Sequence, residues 1–100
     1  MLVITQLIFL EPAKEAEFLA FEDKVLPLLT RHGGELLLRI RPSAESIVAT
    51  EVGLPYEVHV VTFADEDGLT AYTNDPERLR WIALKETSVR AVRLYKAASV

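Results

Sequence analysis

Two histidines, three tyrosines, one tryptophan and no cysteine are the side chains from which chemistry would have to be assembled. His59 is the most informative. It falls inside the apolar run Tyr56–Phe63, where a titratable ring is out of place unless something there uses it. Its pKa lies near neutrality, so facing a chamber between paired sheets it could orient a ligand or move a proton. Set under a helix, it would be a core histidine satisfied by a polar group of a neighbouring strand. Parity stays open: one face carries Glu57, His59, Val61 and Phe63, the other Tyr56, Val58, Val60 and Thr62. Gln6 poses the same question within Leu2–Leu10, because a buried amide needs partners. It either lines a cavity or pairs with its counterpart across a dimer axis.

Tyr72, Trp81, Tyr95 and Arg39 complete the candidate pocket residues. Packing is the default role of Tyr72 and Trp81, and Tyr95 shares the uncertainty of face that attends His59. Arg39 and Arg41 are expected on the wetter side of their strand, first as salt-bridge partners of the acidic middle of the chain and second as an anion clamp. His32 reads as a cation at a helix end.

Several chemistries are set aside. Two distant histidines without cysteine give no zinc-ligand spacing, so no metal is expected. Gly33-Gly34 precedes a strand rather than opening a helix, so it is no phosphate loop. Asp65-Glu66-Asp67 lacks the calcium-loop register. No serine has the surroundings of a catalytic triad.

Composition bounds the rest. One hundred residues, half of them apolar, make one domain over 1–100 with a core of its own. The absence of cysteine fits a reducing cytoplasm, the expected location. Met1–Leu10 is apolar but lacks a basic start and a small-residue cleavage site, so it reads as a strand and not a targeting segment. No stretch approaches the roughly 20 apolar residues of a membrane span. A net charge of −4 argues against nucleic acid. Ala44–Asp75 holds seven acidic residues and no Lys or Arg, whereas six basic residues follow from Pro76 on, against Glu77 and Glu86. Complementary pairing within or between subunits is the simplest use of that asymmetry.

The elements that must position these side chains follow from periodicity. Leu2–Leu10 is a strand, and Pro12 suits the first turn of a helix. Phe18, Phe21, Val25, Leu28 and His32 then recur at helical spacing. Pro27 conflicts with that helix and predicts a kink near Asp23–Pro27 or two short helices. His32-Gly33-Gly34 ends it. Glu35–Arg41 is a second strand, with Leu36, Leu38 and Ile40 on one face and Glu35, Leu37, Arg39 and Arg41 on the other. Between Pro42 and Pro55, Ile47–Thr50 is expected as a short strand or hairpin arm, since fourteen structureless residues are unusual. Tyr56–Phe63 is a third strand. Asp65 caps the next helix, Asn74-Asp75-Pro76 breaks and restarts it, and Val89–Ala97 is the last strand.

The order β-α-β-β-α-β predicts an α+β, ferredoxin-like fold with a four-stranded antiparallel sheet. With both helices on one face, the other face spans roughly 20 by 20 Å, or about 400 Å². That matches the largest apolar patch a soluble monomer exposes. Two such sheets packed face to face as a two-fold homodimer would cover it. A monomer with helices or the Pro42–Pro55 arm folded over that face is the rival arrangement.

The segment Tyr56–Asp65 leading into Ala71-Tyr72-Thr73-Asn74-Asp75-Pro76-Glu77 resembles the dimeric α/β-barrel superfamily, which includes antibiotic-biosynthesis monooxygenases. His32-Gly33-Gly34 is similar to the family's exit from its first helix. The resemblance spans nearly the whole chain in element order. The monooxygenase branch often carries histidines after the helix alanine and after the proline, where Tyr72 and Glu77 stand here. That departure points away from cofactor-free oxygenation and towards the superfamily's branch of unknown function; no cofactor is implied.

Three functional readings stand together. The first is a homodimer binding a small apolar or aromatic molecule in a pocket between sheet and helices of each subunit. The second is a cofactor-independent monooxygenase or isomerase in which His59, Gln6 and Tyr72 position the substrate. The third is a dimerisation module without a ligand. A cavity of a few hundred Å³ lined by at least two of those residues would favour the first two.

Overall fold

The computed structural model describes residues 1–98. Strands β1 (Leu2–Leu10), β2 (Glu35–Ile40), β3 (Glu57–Phe63) and β4 (Val89–Ala98) form one antiparallel sheet in the order β2-β3-β1-β4. Helix α1 (Glu15–Val25) lies between β1 and β2. Helices α2 (Glu66–Thr73), α3 (Pro76–Arg80) and α4 (Ile82–Ser88) make a broken connection from β3 to β4. This is the expected ferredoxin-like arrangement. The molecule is 17 Å thick against 35 Å in its other dimensions, room for one sheet and one layer of helices.

Local chemistry explains the departures from periodicity. Pro27 cannot donate to an α-helical ladder, so α1 ends at Val25 and the chain tightens into a 3-10 turn over Leu26–His32, with Pro27 in its first turn. Leu28 and Leu29 still point inward, which is why the apolar spacing runs through the break. Gly33, at φ 71°, and Gly34 close the turn through Gly34 N–H donating to the Leu29 carbonyl at 2.8 Å. Pro12 does not start the helix: Ala13 turns the chain through φ 62°, and α1 begins at Glu15. Asp65 and Asp75 cap as expected, accepting from Gly68 N–H at 3.1 Å and Glu77 N–H at 2.9 Å.

The segment between β2 and β3 holds no strand or hairpin arm, only a 3-10 turn over Ala44–Ser46. Thr50 Oγ1 accepts from the N–H groups of Val52 and Gly53, both at 3.0 Å. Those bonds occupy donors that a ladder would need. Strand β2 also departs from simple alternation. A bulge between Leu36 and Leu38 shifts the register, so Leu36 pairs with Val61 while Leu38 pairs with Val60 and Arg39 with His59. Leu36 and Arg39 therefore face the helices, and Leu38 and Ile40 face away, because a bulge flips parity along a strand.

Helix-side rows across the sheet run Lys96–Ile4–Val61–Leu36, then Leu94–Gln6–His59–Arg39. The outer face reads Tyr95–Thr5–Val60–Leu38 and Arg93–Leu7–Val58–Ile40. Apart from Thr5 its centre is apolar, and no helix covers it: Leu38 and Ile40 remain 45% and 44% exposed. Charge and polarity collect at the edges, at Arg93, Tyr95 and Glu35.

Two buried clusters hold the layers together. Ile4, Leu29, Val61 and Phe63 form one, and Phe21, Val25 and Leu28 the other, packed by Trp81, Ile82 and Leu84; Tyr72 touches both. Gly68 is required where α2 crosses this core. A Cβ there would stand 2.7 Å from the His32 carbonyl oxygen and 3.3 Å from Phe63 Cδ1. Overpacking against backbone costs about 1–3 kcal/mol, which exceeds the about 1 kcal/mol that alanine gains in a helix. Gly68→Ala is therefore expected to lower the thermal midpoint, by roughly 5–15 °C in a calorimetric scan. An unchanged midpoint would mean that the α2 backbone moves freely over Phe63.

The charge asymmetry is only partly paired internally. Lys96–Glu66 joins the basic end to the acidic middle at 3.2 Å, but the acidic residues Glu57, Asp75 and Glu77 take their partners from Arg31, His32, Arg39 and Arg41. Asp75 joins two helical segments. Its buried carboxylate meets His32 Nε2 at 2.7 Å and Arg31 Nη1 at 3.2 Å while capping α3, so His32 ties the exit of the first helical segment to the start of α3. The hydrogen bond with His32, helped by Glu77 N–H and Arg31, holds the Asp75 carboxyl below its ordinary value.

Candidate functional site

A cavity of about 330 Å³ lies between the sheet and the helices. Strands β1, β3 and β4 supply its floor through Ile4, Gln6, Ile8, His59, Val61, Val92 and Leu94; α1 and the 3-10 turn roof it with Phe18, Phe21, Glu22, Val25 and Leu29. Thr73, Val92 and Leu94 line it yet remain exposed, which marks the open side along α2 and β4. Most of the lining is hydrocarbon, with Gln6, Glu22, His59, Tyr72, Thr73, Arg78 and Lys85 as its functional groups.

His59 stands on the helix side, so it does not face the space between paired sheets. This is the placement expected of a core histidine, except that the polar group satisfying it, Glu57, lies on its own strand and not a neighbouring one, and the ring also borders the cavity. The ring is 2% exposed, and Nε2 lies 2.9 Å from Glu57 Oε1, two residues along the same strand. Glu57, only 1% exposed, is held on its other side by Arg39 Nε at 2.8 Å and by Arg41 Nη2. Burial alone would raise the Glu57 carboxyl, but hydrogen bonds from Arg39, Arg41 and His59 outweigh it and keep the group below its ordinary value. An ionised carboxylate only accepts, so the His59 proton sits on Nε2. Burial lowers the His59 pKa, leaving the ring neutral and Nδ1 unprotonated. Nδ1 has no hydrogen-bond partner among the described residues.

Across the cavity, α1 presents Glu22. The residue is 6% exposed, and its carboxyl accepts no hydrogen bond from any described residue. Desolvation, only partly offset by Arg39, pushes its pKa up from 4.5 to about 7. The sequence contained a signal for this position, since Phe18, Glu22 and Val25 stand four and three apart on the apolar face. Lys85 also lines the cavity, and its pKa is lowered by burial. Arg78 lies over the rings of Tyr72 and Phe21, 5.1 and 5.6 Å from their centroids, and its buried Nε has no partner.

Of the residues singled out by sequence, Gln6, His59 and Tyr72 meet at this cavity. Gln6 neighbours His59 directly across β1 and β3. Tyr72 donates its hydroxyl to the Val25 carbonyl at 3.3 Å, and burial raises its pKa. Arg39 stands behind His59 and is an ion-pair partner of Glu57, on the helix side and not the wetter one; the bulge in β2 puts it there. Trp81 and Tyr95 do not line the cavity. Trp81 packs against α1 with Lys24 5.0 Å from its ring centroid, and Tyr95 is 56% exposed on the outer face. Glu22, Thr73, Arg78 and Lys85 are the lining groups that sequence reasoning missed.

No metal-binding group of three or more His, Asp or Glu residues occurs among the described residues, and no described helix is long and apolar enough to cross a membrane.

No family model matches the sequence, and no curated protein matches it. Solved structures do share its fold. A protein of unknown function from Rhodopseudomonas palustris superposes with a TM-score of 0.83 at 13% identity, covering 99% of this chain and 82% of that one. A dabb family protein with a ferredoxin-like fold from Mesorhizobium loti gives 0.66 at 14% identity, covering 99% and 96%. A dimeric ferredoxin-like protein of unknown function from a Jannaschia species gives 0.71 at 15% identity, covering 98% of each chain. These likenesses bear out the architecture expected from the sequence, and at such identities they carry the fold alone.

Proposed function

We propose that the chain is a homodimeric binding protein for a small apolar or aromatic molecule with a polar end, held in one cavity per subunit between sheet and helices. The observation that carries this reading is the cavity itself. Its volume suits a small ligand, its walls are mainly hydrocarbon, and a few polar groups converge on one interior region, the usual anatomy of a ligand site. The apolar, uncovered outer face supports pairing of two subunits, as does the dimeric state described for the Jannaschia protein.

Ligand-observed NMR against a mixed library of one- and two-ring compounds, followed by soaking of crystals, tests the binding reading. Leu94→Trp is the informative variant. Leu94 lines the open side and is 43% exposed, so an indole there fills the mouth without straining the core. Library hits are expected to bind the variant at least roughly tenfold more weakly. Equal binding to both proteins would place the ligands elsewhere, and a library with no hits would leave the dimerisation module as the better description.

A second reading, a cofactor-independent isomerase, is favoured by one specific feature. His59 and Glu22 line the same cavity in different surroundings, one charge-supported and one desolvated, which is how acid and base roles are separated in a single site.

A further inference from the structure

Resting on the binding reading above, we propose that the ligand is an enolisable ketone, that His59 is the base removing its α-proton, and that Glu22 is the acid protonating its carbonyl oxygen. The two groups reach the cavity from opposite layers, His59 from the floor and Glu22 from α1, so a planar molecule between them is addressed on two sides. Glu57 fixes the reactive form of the base. Its carboxylate accepts a hydrogen bond from Nε2–H at 2.9 Å, leaving Nδ1 with a free lone pair, while Arg39 and Arg41 keep that carboxylate ionised. Glu57 is thus a positioning residue. Glu22 is the opposite case, a buried carboxyl without a hydrogen-bond partner among the described residues.

The step balances without a co-reactant. The α C–H bond breaks and its proton forms an N–H bond at His59 Nδ1. The electron pair moves into the C–C bond, and the carbonyl π pair takes the Glu22 proton, giving the enol. The site then holds imidazolium and carboxylate in place of imidazole and carboxylic acid. Where the ketone carries a β,γ double bond, the dienol takes the proton from His59 Nδ1 at its γ carbon while its O–H returns a proton to Glu22, giving the α,β-unsaturated isomer and restoring both groups. Arg78 and Lys85, also in the lining, favour the negative charge that develops on the oxygen. Burial holds Glu22 at about 7 and keeps His59 neutral, so the forms required are populated near neutrality.

The test uses 2-tetralone and tetralin, near-isosteric two-ring probes of which only the ketone enolises. Saturation-transfer NMR reads contact of each with the dimer, and loss of the tetralone C1 proton signals in D2O reads enolisation. The proposal expects both probes to bind and the intact protein to accelerate exchange over buffer. Glu22→Gln and His59→Gln should each lower that acceleration by about 10²-fold or more while still contacting both probes. Glu57→Gln should lower the rate and, in 15N spectra, release His59 from its Nε2–H form, a change that a merely structural role would not produce. Binding of tetralone without acceleration, acceleration that survives in the Glu22 and His59 variants, or binding of tetralin alone would overturn the proposal and leave the binding reading standing. Contact with neither probe would overturn both.

Discussion

Val60→Asp is expected to turn a two-chain particle into single chains, with the mass by light scattering at micromolar concentration falling by half. Val60 lies at the middle of the outer face, between Thr5 on β1 and Leu38 on β2. In one chain its side chain is half-buried, and a carboxylate there can reach water over Leu38 and Tyr95, which are 45% and 56% exposed. Face-to-face pairing about a two-fold axis removes that water and brings two like charges into one dry interface. Desolvation of an unpaired ion costs several kcal/mol even after relaxation. The dimer would therefore weaken by more than about 100-fold. The fold should persist in the variant, visible as unchanged far-ultraviolet dichroism. Retention of the two-chain mass would show that the subunits meet elsewhere, and a native protein that is already monomeric would remove the interface altogether.

Glu22→Gln should make the protein more stable at pH 8 and barely change it at pH 4. The carboxyl has its ordinary value of 4.5 when unfolded and about 7 when folded, a gap of about 2.5 pH units. At about 1.36 kcal/mol per pH unit this is worth about 3 kcal/mol. The sign follows from proton binding. The folded state holds the Glu22 proton more tightly, so its contribution is fully present below pH 4.5 and is lost as pH rises through 7. Above that, a carboxylate is held in a largely desolvated site whose cost Arg39 offsets only in part. Glutamine keeps the shape without the charge, so the advantage of the variant grows across that window to about 3 kcal/mol. Glu57, Asp75 and His59 act in the opposite direction: their lowered folded values stabilise at higher pH, and that stability is lost as pH falls through them. Both proteins carry those three groups, so the difference between their denaturant midpoints at pH 4 and pH 8 isolates Glu22. Identical midpoints at pH 8 would mean that water reaches the carboxylate freely.

The element order, the two aspartate caps, the break at Asn74–Pro76 and the uncovered face were all legible in the sequence, because each rests on local rules of period and capping. What escaped depends on side-chain bonds and on single-residue slips. The bulge in β2 could not be read from Glu35–Arg41, since a run of three leucines satisfies either parity; its cost was the placement of Arg39. The Pro42–Pro55 segment was expected to hold an arm because fourteen structureless residues are unusual, but Thr50 closes a turn with the backbone of Val52 and Gly53 instead. The side of the sheet on which His59 lies required the pairing register. Glu22 was overlooked because a charged residue at helical spacing is ordinarily solvated, and only three-dimensional packing shows this one enclosed. Trp81 stood among the pocket candidates with packing as its default role, and packing is the role it has, its ring set against Phe21, Val25 and Leu28.

The open side of the cavity and the face proposed for pairing lie on opposite sides of one sheet, separated by the backbone of β1, β3 and β4. Loading and assembly would therefore not compete for the same ground. Each chain would carry its own guest, one per polypeptide, and traffic in and out would proceed at the same pace whether or not a second chain is attached.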